Sequence, residues 1–278
     1  MIQDQNIKPS EMEFLSPGTI GRLEGDVIMV TGATRGVGAE LALALAQEGA
    51  HVVIVGRDGD AGEKVAENIR SAGLAASVAV ADVTRENDID AAVQSVLDEY
   101  GRIDTLICAA GTSARKGPLW LAEEADFRAC FDLNVLGTML SMKAVMPSMI
   151  ERGKGCIVAI GGTYGHKGVR SFSVYAASKW ALRGLMKSAA LDAGAFGVRV
   201  NLVSPGGIEG EKLIGMFKRT AEQEGISFEA VHNRFTAGAA LGRLVAASDI
   251  ANAMLYLVGD TGRMITGQDI VVDAGTLI

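Results

Sequence analysis

Short apolar segments alternate with segments of helical periodicity along most of the chain, beginning near Asp26. Seven apolar segments are predicted to be strands: 26–31, 51–55, 76–81, 103–108, 156–160, 198–203 and 268–272. The segments between them carry apolar residues at every third or fourth position, which predicts helices over about 39–49, 60–72, 86–99, 123–150, 172–195 and 248–258. Strands that are almost continuously apolar and alternate with helices indicate a parallel sheet covered on both faces. We therefore predict an α/β fold with a doubly wound sheet of seven parallel strands.

The same pattern predicts one domain, residues 25–278, preceded by an N-terminal arm, residues 1–24. The arm is polar and aperiodic, so we expect it to be disordered or to pack on a neighbouring molecule. Residues 208–238 interrupt the alternation and mix phenylalanines with charged side chains, which predicts an amphipathic lid over a pocket. No linker rich in Pro, Gly or Ser divides the domain.

Composition narrows the possible partners. The net charge of −7 argues against a general nucleic-acid-binding protein, which needs a strong basic patch. No apolar run reaches the ~18 residues of a membrane span, and the first residues lack the apolar core of a signal peptide. Cys108, Cys130 and Cys156 have no metal-type spacing and are predicted to be buried, reduced thiols, which favours the cytoplasm. The three scattered histidines suggest no metal site.

A glycine-rich loop joins the first predicted strand to the first predicted helix. In "TGATRGVG", residues 31–38, the glycines are Gly32, Gly36 and Gly38. Such glycines let the backbone turn sharply and approach a pyrophosphate, whose charge is favoured at a helix N-terminus. The position between strand and helix favours a dinucleotide site over a tight turn without a ligand. The loop lacks Gly-Lys-Ser/Thr, so it is not a Walker-type loop.

The end of the second predicted strand bears on which dinucleotide binds. In a doubly wound fold this position faces the adenosine ribose, where an acidic residue binds a 2′-hydroxyl and an arginine accommodates a 2′-phosphate. Arg57 stands there, and Arg35 in the glycine loop adds a second cation. This pair favours NADP, with NAD possible. The alternative is that Arg57 is a solvated turn residue and Asp58 reaches the ribose of NAD.

Several ordered motifs together resemble the short-chain dehydrogenase/reductase family over about residues 22–275. They are "TGATRGVG", "ADVT", "CAAG", "LNVLGT", "YAASK", "VSPGGI" and the C-terminal segment 241–275. The resemblance implies a single Rossmann-like domain that binds a nicotinamide cofactor. Together with the loop and strand-end arguments, the predicted cofactor-binding residues are Gly32, Thr34, Arg35, Gly36, Val37, Gly38, Arg57, Asp82, Val83, Ala109, Ala110, Gly111, Tyr175, Lys179, Pro205, Gly206 and Ile208.

The motif "YAASK" supplies a candidate catalytic pair. Tyr175 and Lys179 are four residues apart on a predicted helix and therefore project from one face. An ammonium near a phenol is expected to lower the phenol's pKa, which suits Tyr175 to act as the acid in ketone reduction or the base in alcohol oxidation. The resemblance implies that Lys179 also binds the nicotinamide ribose and that Asn134 holds a water in a proton relay. Standing alone, the pair would more often be an ordinary helix pair.

The chain departs from the family at one catalytic position. The family normally has a serine thirteen residues before the tyrosine, followed by x-x-Gly. That position is Gly162, and Gly165 keeps the glycine of the pattern, so the serine is missing. Its hydroxyl would donate a hydrogen bond to the substrate oxygen, and losing such a donor typically costs about 10²–10³ in rate.

Three explanations of the missing serine remain open. Thr163, one position later, supplies the hydroxyl, since the flanking glycines let the backbone adjust. Alternatively, Tyr164, His166 or a group on the substrate replaces it. Otherwise the protein binds the cofactor with weak or no catalysis. The intact Tyr, Lys and Asn argue against the last explanation, so we predict an NADP-linked oxidoreductase that acts on a small-molecule alcohol or ketone.

The remaining predictions concern substrate and assembly. A local basic cluster, namely Arg115, Lys116, His166, Lys167 and Arg170, suggests a carboxylate-bearing substrate, although loops are often charged for solubility. The family resemblance implies a homodimer or homotetramer. Its contacts would be made by the two long helices and the C-terminal strand.

Overall fold

The computed structural model of the chain describes residues 22–278, so most of the predicted arm lies outside the described residues. The strands are β1 Val27–Thr31, β2 His51–Gly56, β3 Ala76–Val80, β4 Thr105–Cys108, β5 Gly155–Ile160, β6 Val198–Pro205 and β7 Asp269–Val272. The α-helices are α1 Gly36–Gln47, α2 Gly59–Ser71, α3 Glu86–Tyr100, α4 Glu124–Phe131, α5 Gly137–Arg152, α6 Ser173–Gly194, α7 Glu211–Glu224, α8 Phe228–Thr236 and α9 Ala247–Val258.

The strands form one sheet in the order β3-β2-β1-β4-β5-β6-β7, and each neighbouring pair is parallel. The predicted doubly wound sheet of seven parallel strands is therefore confirmed. The strand order reverses between β1 and β4. In open α/β sheets a crevice forms at this reversal, at the carboxyl ends of the strands. The predicted phosphate loop and the "CAAG" motif both lie at this edge.

Alternate residues of the strands enter two separate apolar layers. Ile28 and Val30 of β1 are fully buried in the layer that contains α1 and α9, while Met29 is buried in the layer of α3, α5 and α6. This alternation follows from the two-residue period of a strand. Burying each such side chain contributes roughly 1.5–3 kcal/mol, so both faces of the sheet drive folding.

The folded domain begins slightly before its predicted start. Leu23 is buried, and its N–H donates to the carbonyl oxygen of Glu48 at 2.9 Å. Residues 22–24, assigned to the arm from sequence, therefore belong to the domain's edge. This boundary depends on tertiary contacts, because Leu23 packs in the core and bonds to Glu48 just after α1.

The long helix predicted over 123–150 is α4, a π-helical turn Asp132–Leu136 and α5 in succession. In length and composition, Glu124–Arg152 could cross a membrane, and it is the single such helix among residues 22–278. Val145 and Met149 of this helix are fully buried in the core layer beside the sheet. Packing inside the domain therefore accounts for its apolar character.

The interrupted segment 208–238 contains two helices, α7 and α8. Phe217 is fully buried between them and packs with Phe228 and Phe235, whose ring centres lie 6.0 Å and 5.1 Å away. A Cβ at Gly207 would lie 2.5 Å from Phe235 Cε1, so this cluster packs directly on the loop that follows β6. The predicted lid thus has its own small core.

Candidate active site

The glycines of the phosphate loop are required by close backbone contacts. Gly32 has φ +71°, and a Cβ there would lie 2.5 Å from Ala110 Cα. A Cβ at Gly38 would lie 2.3 Å from the carbonyl oxygen of Gly32. The loop therefore folds tightly against the end of β4, where Ala109 donates its N–H to Thr31 O at 3.1 Å. This brings the predicted loop residues next to the predicted "CAAG" residues.

The N-terminus of α1 can receive an anion. Arg35 occupies the capping position in extended conformation, and no described side chain caps the first turn. The N–H groups of Gly36, Val37 and Gly38 thus lack the usual capping oxygen, and a helix N-terminus favours negative charge. These features fit a dinucleotide pyrophosphate.

Arg57 and Asp82 lie together at the ends of β2 and β3. Arg57 Nη1 is 3.7 Å from Asp82 Oδ2, and the Arg57 side chain is 69% exposed. Burial opposes ionisation of Asp82, but hydrogen bonds from Thr84 and the charges of Arg57 and Arg85 outweigh it and lower its pKa. Arg57 is therefore a solvent-facing cation at the end of β2, close to an ionised carboxylate.

Thr34 and Asp58 complete this region. A Cβ at Gly56 would lie 2.5 Å from Thr34 Cγ2, so the glycine loop touches the end of β2. Asp58 caps α2, with its Oδ1 accepting from the Ala61 N–H at 3.0 Å. One carboxylate oxygen of Asp58 is thus already used, which weakens the alternative in which Asp58 binds a ribose.

Two further contacts place the middle of the predicted cofactor site. A Cβ at Gly137 would lie 2.7 Å from Val83 Cγ2, so α5 packs on the residue after β3. A Cβ at Gly111 would lie 3.3 Å from Asn134 Oδ1. The end of β4 therefore leads directly to the predicted catalytic asparagine.

Asn134 is buried in the π-helical turn, and both ends of its carboxamide make hydrogen bonds. Its Oδ1 accepts from the Thr112 N–H at 2.8 Å, and its Nδ2 donates to Thr112 O and to Ser178 Oγ, both at 2.9 Å. The Nδ2 also lies 3.4 Å from Cys130 Sγ. The side chain thus ties the β4 loop to α6.

Tyr175 and Lys179 project from α6 towards the ends of β5 and β6. Lys179 is 5% exposed, and its Nζ donates to Ile160 O at 2.8 Å and lies 5.7 Å from the centre of the Tyr175 ring. Tyr164 packs edge-on against Tyr175, with ring centres 5.8 Å apart. The predicted pair therefore lies on one face of α6, packed against Tyr164 and the end of β5.

The pKa values of this pair run against the expectation from sequence. Burial, together with smaller contributions from Cys130 and Tyr164, raises the pKa of Tyr175 to about 12. Burial lowers the pKa of Lys179 to about 8; Lys212 also lowers it, whereas Cys130 acts in the opposite direction. The predicted lowering of the tyrosine pKa is therefore wrong for this structure, because desolvation of the phenolate dominates.

The end of β5 carries the position where the family serine is missing. Gly162 has φ +154°, a backbone conformation that is strained for any residue with a side chain. A Cβ at this position would lie 3.9 Å from Tyr175 Oη. The position thus faces the tyrosine hydroxyl without a side chain of its own. Thr163, at the start of a 3₁₀ turn Thr163–Gly165, is 6% exposed, and its hydroxyl has no hydrogen-bond partner among residues 22–278.

His166 does not fit the role of replacement donor. Its Nε2 is 3.0 Å from Asp269 Oδ2 on β7, and the Asp269 side chain is 4% exposed. Arg183 shares this carboxylate at 2.9 Å and also donates to Gly165 O at 2.8 Å. His166 Nε2 thus faces Asp269 on β7, a close approach without a hydrogen bond between the two side chains. Of the sequence candidates, Tyr164 packs against Tyr175, and Thr163 directly follows Gly162, the position that faces the tyrosine hydroxyl.

The predicted basic cluster is only partly available for a substrate. Arg115 pairs with Glu123 at 3.0 Å, and Lys167 Nζ donates to Thr276 O at 2.9 Å. Together with His166, three of its members are engaged by the protein. Lys116 lies 5.6 Å over the ring of Phe172, close to the pocket between the β4 and α6 loops.

The loop after β6 is fixed in place by the sheet and the lid. Gly206 N–H donates to Val272 O at 2.9 Å, and a Cβ at this position would lie 2.8 Å from Asp273 Cα. Ile208 forms a parallel bridge with Val245. Pro205, Gly206 and Ile208 therefore lie where "VSPGGI" was expected, at the carboxyl end of the sheet.

Two serines beside the site were not singled out from sequence. Ser178 Oγ accepts from Asn134 and donates to Tyr175 O at 2.8 Å. Ser204 Oγ accepts from the Gly162 N–H at 3.1 Å. Ser178 lies within "YAASK" and Ser204 within "VSPGGI", so both motifs contained the signal. Their contacts span 44 and 42 residues and could not be read from spacing.

Other chemistry at the site is limited. The three cysteines are buried, unpaired thiols, and burial raises the pKa of Cys108 to about 12 and of Cys156 to about 11. Within residues 22–278 no group of three His, Cys, Asp or Glu side chains could hold a metal ion.

Comparison with known proteins agrees with this geometry. A family model described as enoyl-(acyl carrier protein) reductase matches residues 32–276. A short-chain dehydrogenase/reductase of Armillaria gallica is 35% identical over 262 residues, covering 91% of this chain and 96% of that protein. The structure is similar to an actinorhodin polyketide ketoreductase with NADPH (TM-score 0.86, 30% identity, 93% and 99% coverage). It is equally similar to an NAD⁺-bound xylitol dehydrogenase (TM-score 0.86, 29% identity, 91% and 99% coverage). The chain therefore belongs to the short-chain dehydrogenase/reductase family.

Proposed function

We propose that the protein is an NADP-dependent oxidoreductase that interconverts a small-molecule alcohol and ketone, with Tyr175 as the acid/base. The observation that carries the proposal is the convergence of Tyr175, Lys179 and Asn134 at the edge of the sheet that holds the glycine loop. A bound nicotinamide would supply or accept the hydride at this edge.

Tyr175 is suited to hold a proton for the substrate oxygen. With a pKa of about 12 it is a neutral phenol at neutral pH, ready to donate when negative charge develops on a carbonyl oxygen. Lys179, with a pKa of about 8, is mainly an ammonium below that pH. Its positive charge would stabilise the Tyr175 phenolate that forms once the proton has moved to the substrate. In the reduction direction Tyr175 would start in this neutral, proton-donating form.

Asn134 acts differently from a free water-binding side chain. Because its carboxamide is engaged by Thr112 and Ser178, we assign it to holding the π-helical turn and α6 in register. A relay water would then bind to backbone oxygens of the turn rather than to the amide. This assignment keeps Asn134 essential for geometry.

The preference for NADP rests on Arg57 and Arg35. Arg57 is exposed at the end of β2, with its charge only partly offset by Asp82, and Arg is suited to multidentate phosphate contact. Asp58 is committed to the α2 cap. The similar structures include proteins with NADPH and with NAD⁺, so the preference is argued from these residues alone.

A carboxylate-bearing substrate is a narrower part of the proposal. After Arg115, His166 and Lys167 are assigned to protein partners, Lys116 and Arg170 are the remaining basic side chains of the cluster. Changing Arg170 to Ala should raise KM for an acidic substrate several-fold and leave KM for its neutral analogue unchanged. Equal effects on both would exclude the idea.

The second candidate function is cofactor binding with weak or no catalysis, which the missing hydroxyl at Gly162 favours. A screen of alcohols and ketones with NADP(H) and NAD(H), followed by nicotinamide absorbance, separates the two. We expect turnover by the wild-type protein and a loss of at least about 10²-fold in Tyr175→Phe, since general acid catalysis contributes that much. Tight cofactor binding without turnover of any compound would support the second candidate.

Assembly and location complete the proposal. We propose a homodimer or homotetramer in the cytoplasm, without nucleic-acid or membrane partners. Large apolar side chains on α6 support assembly, because Trp180 is 50% and Leu191 84% exposed. The buried, unpaired thiols suit a reducing compartment.

A further inference from the structure

A serine on the neighbouring strand, Ser204 of β6, contacts the position where the family serine is missing. Ser204 is fully buried near the end of β6, beside the end of β5. Its side chain lies on the same sheet face as that of Leu202, two residues earlier, which packs in the layer of α6. This is also the face of Tyr175 and Lys179.

The hydroxyl of Ser204 occupies the space that a side chain at position 161 would need. A Cβ at Gly161 would lie 2.3 Å from Ser204 Oγ and 3.5 Å from Ser204 Cβ. A side chain at 161 and the hydroxyl at 204 therefore exclude each other. The absence of a side chain at Gly161 thus lets the Ser204 hydroxyl reach the backbone at the end of β5.

This hydroxyl fixes the turn that starts at Gly162. Ser204 Oγ accepts from the Gly162 N–H at 3.1 Å, and Gly162 O accepts from the Gly165 N–H at 2.8 Å. Both polar groups of Gly162 are thus used while its φ is +154°. Thr163 follows immediately and begins the 3₁₀ turn. Without the Ser204 hydroxyl, Gly162 loses the contact that opposes relaxation to a commoner conformation.

We propose that Ser204 is a positioning residue that fixes the Gly162 turn and thereby holds the Thr163 hydroxyl beside Tyr175. The chain would replace the family's catalytic serine by two residues: Thr163 as the donor and Ser204 as the support that orients it. This inference rests on the proposed oxidoreductase function. In this view Gly161, Gly162 and Ser204 together form the turn that precedes Thr163.

The experiment compares Ser204→Ala with Ser141→Ala as the matched control. Ser141 is equally buried, and its hydroxyl also makes one hydrogen bond, to Gly137 O on α5. We expect Ser204→Ala to lower kcat about tenfold, with the Kd of the cofactor changed less than twofold, since one hydrogen bond is worth about that factor. The deuterium isotope effect on kcat, with cofactor deuterated at the transferred position, should rise. Ser204→Thr, which keeps the hydroxyl, should retain turnover within about threefold.

A readout without turnover accompanies the kinetics. Amide hydrogen exchange of the peptide covering residues 160–166 should become faster in Ser204→Ala and stay unchanged in Ser141→Ala. If the alanine variant does not fold, Ser204→Cys, which keeps the volume with a weaker acceptor, is measured in its place.

The outcomes separate the inference from the proposed function. Wild-type turnover that depends on Tyr175, with kcat and isotope effect unchanged in Ser204→Ala, would overturn the inference alone. Absence of wild-type turnover would overturn the proposed function. If the wild type shows no turnover, hydrogen exchange still tests the role of Ser204 in the turn. Unchanged exchange over residues 160–166 in Ser204→Ala would overturn that role, and faster exchange would support it.

Discussion

Burial shifts the pKa values of Tyr175 and Lys179 in opposite directions. Burial stabilises the neutral form of each side chain, so the pKa of the phenol rises and the pKa of the ammonium falls. Their four-residue spacing was sufficient to predict a shared face. It was insufficient to predict the direction of the tyrosine shift, because that depends on how deeply the β5 and β6 ends enclose the pair.

The buried ammonium gives a prediction about pH and stability. Lys179 has a folded pKa of about 8, below its unfolded value, so the unfolded chain binds more protons between these values and stability rises with pH there. Relative to Lys179→Met, the free energy of unfolding of the wild type should rise by roughly 2 kcal/mol from about pH 7.5 to pH 10. Denaturant unfolding at both pH values measures it, and a constant difference would contradict the buried ammonium.

The replacement donor gives a prediction about rate. If the Thr163 hydroxyl hydrogen-bonds the substrate oxygen, Thr163→Val should lower kcat about 10²-fold, as loss of a comparable donor does elsewhere. Thr163→Ser, which keeps the hydroxyl, is the matched control and should stay within a few-fold of wild type. Steady-state kinetics with a saturating cofactor decide the point. An active valine variant would indicate that Thr163 only packs and would leave Tyr164 or a substrate group as the donor.

At the scale of elements, the ends of strands and the loops that follow them build the site. The glycine loop packs on the end of β4, the end of β2 carries Arg57, and the loop after β6 is held by β7 and the lid. The sequence predicted these elements because strand, loop and helix follow one another in order. It did not predict that His166 would face Asp269 or that Lys167 would bond to Thr276, since these partners lie about a hundred residues away.

The end of β2 gives a prediction about cofactor choice. Arg57→Ala removes a cation from the place proposed for the 2′-phosphate and should raise KM for NADP roughly tenfold, the value of one charged hydrogen bond. KM for NAD, which lacks this phosphate, should change little and serves as the internal control. Initial rates with both cofactors provide the measurement. An equal rise for both would show that Arg57 only supports the turn.

At the scale of the whole molecule, the exposed apolar surface is the main unexplained feature. Trp180 and Leu191 of α6, Phe127 of α4 and Val271 of β7 are all exposed, and they lie on the elements expected to form contacts between copies. Stable interfaces bury about 800 Å² per partner.

This surface gives a prediction about assembly. Sedimentation should give a mass that is a multiple of the 28.9 kDa chain, and Leu191→Arg should shift it towards the monomer. Leu43→Arg, at an exposed apolar position on α1 outside these elements, is the matched control and should leave the mass unchanged. A wild-type mass of one chain at micromolar concentration would exclude the proposed homo-oligomer.

The sequence by itself determined the sheet, the glycine loop, the Tyr175–Lys179 face and the absence of the family serine. These features depend on local periods, on backbone freedom at glycine and on ordered motifs, all of which are encoded by near neighbours. Only the tertiary structure decided that Asp58 caps a helix, that His166 faces Asp269 and that the Ser204 hydroxyl reaches Gly162. Each of these depends on where distant strand ends meet. Burial likewise set the direction of both pKa shifts, because desolvation is a property of the packed site and of no single segment.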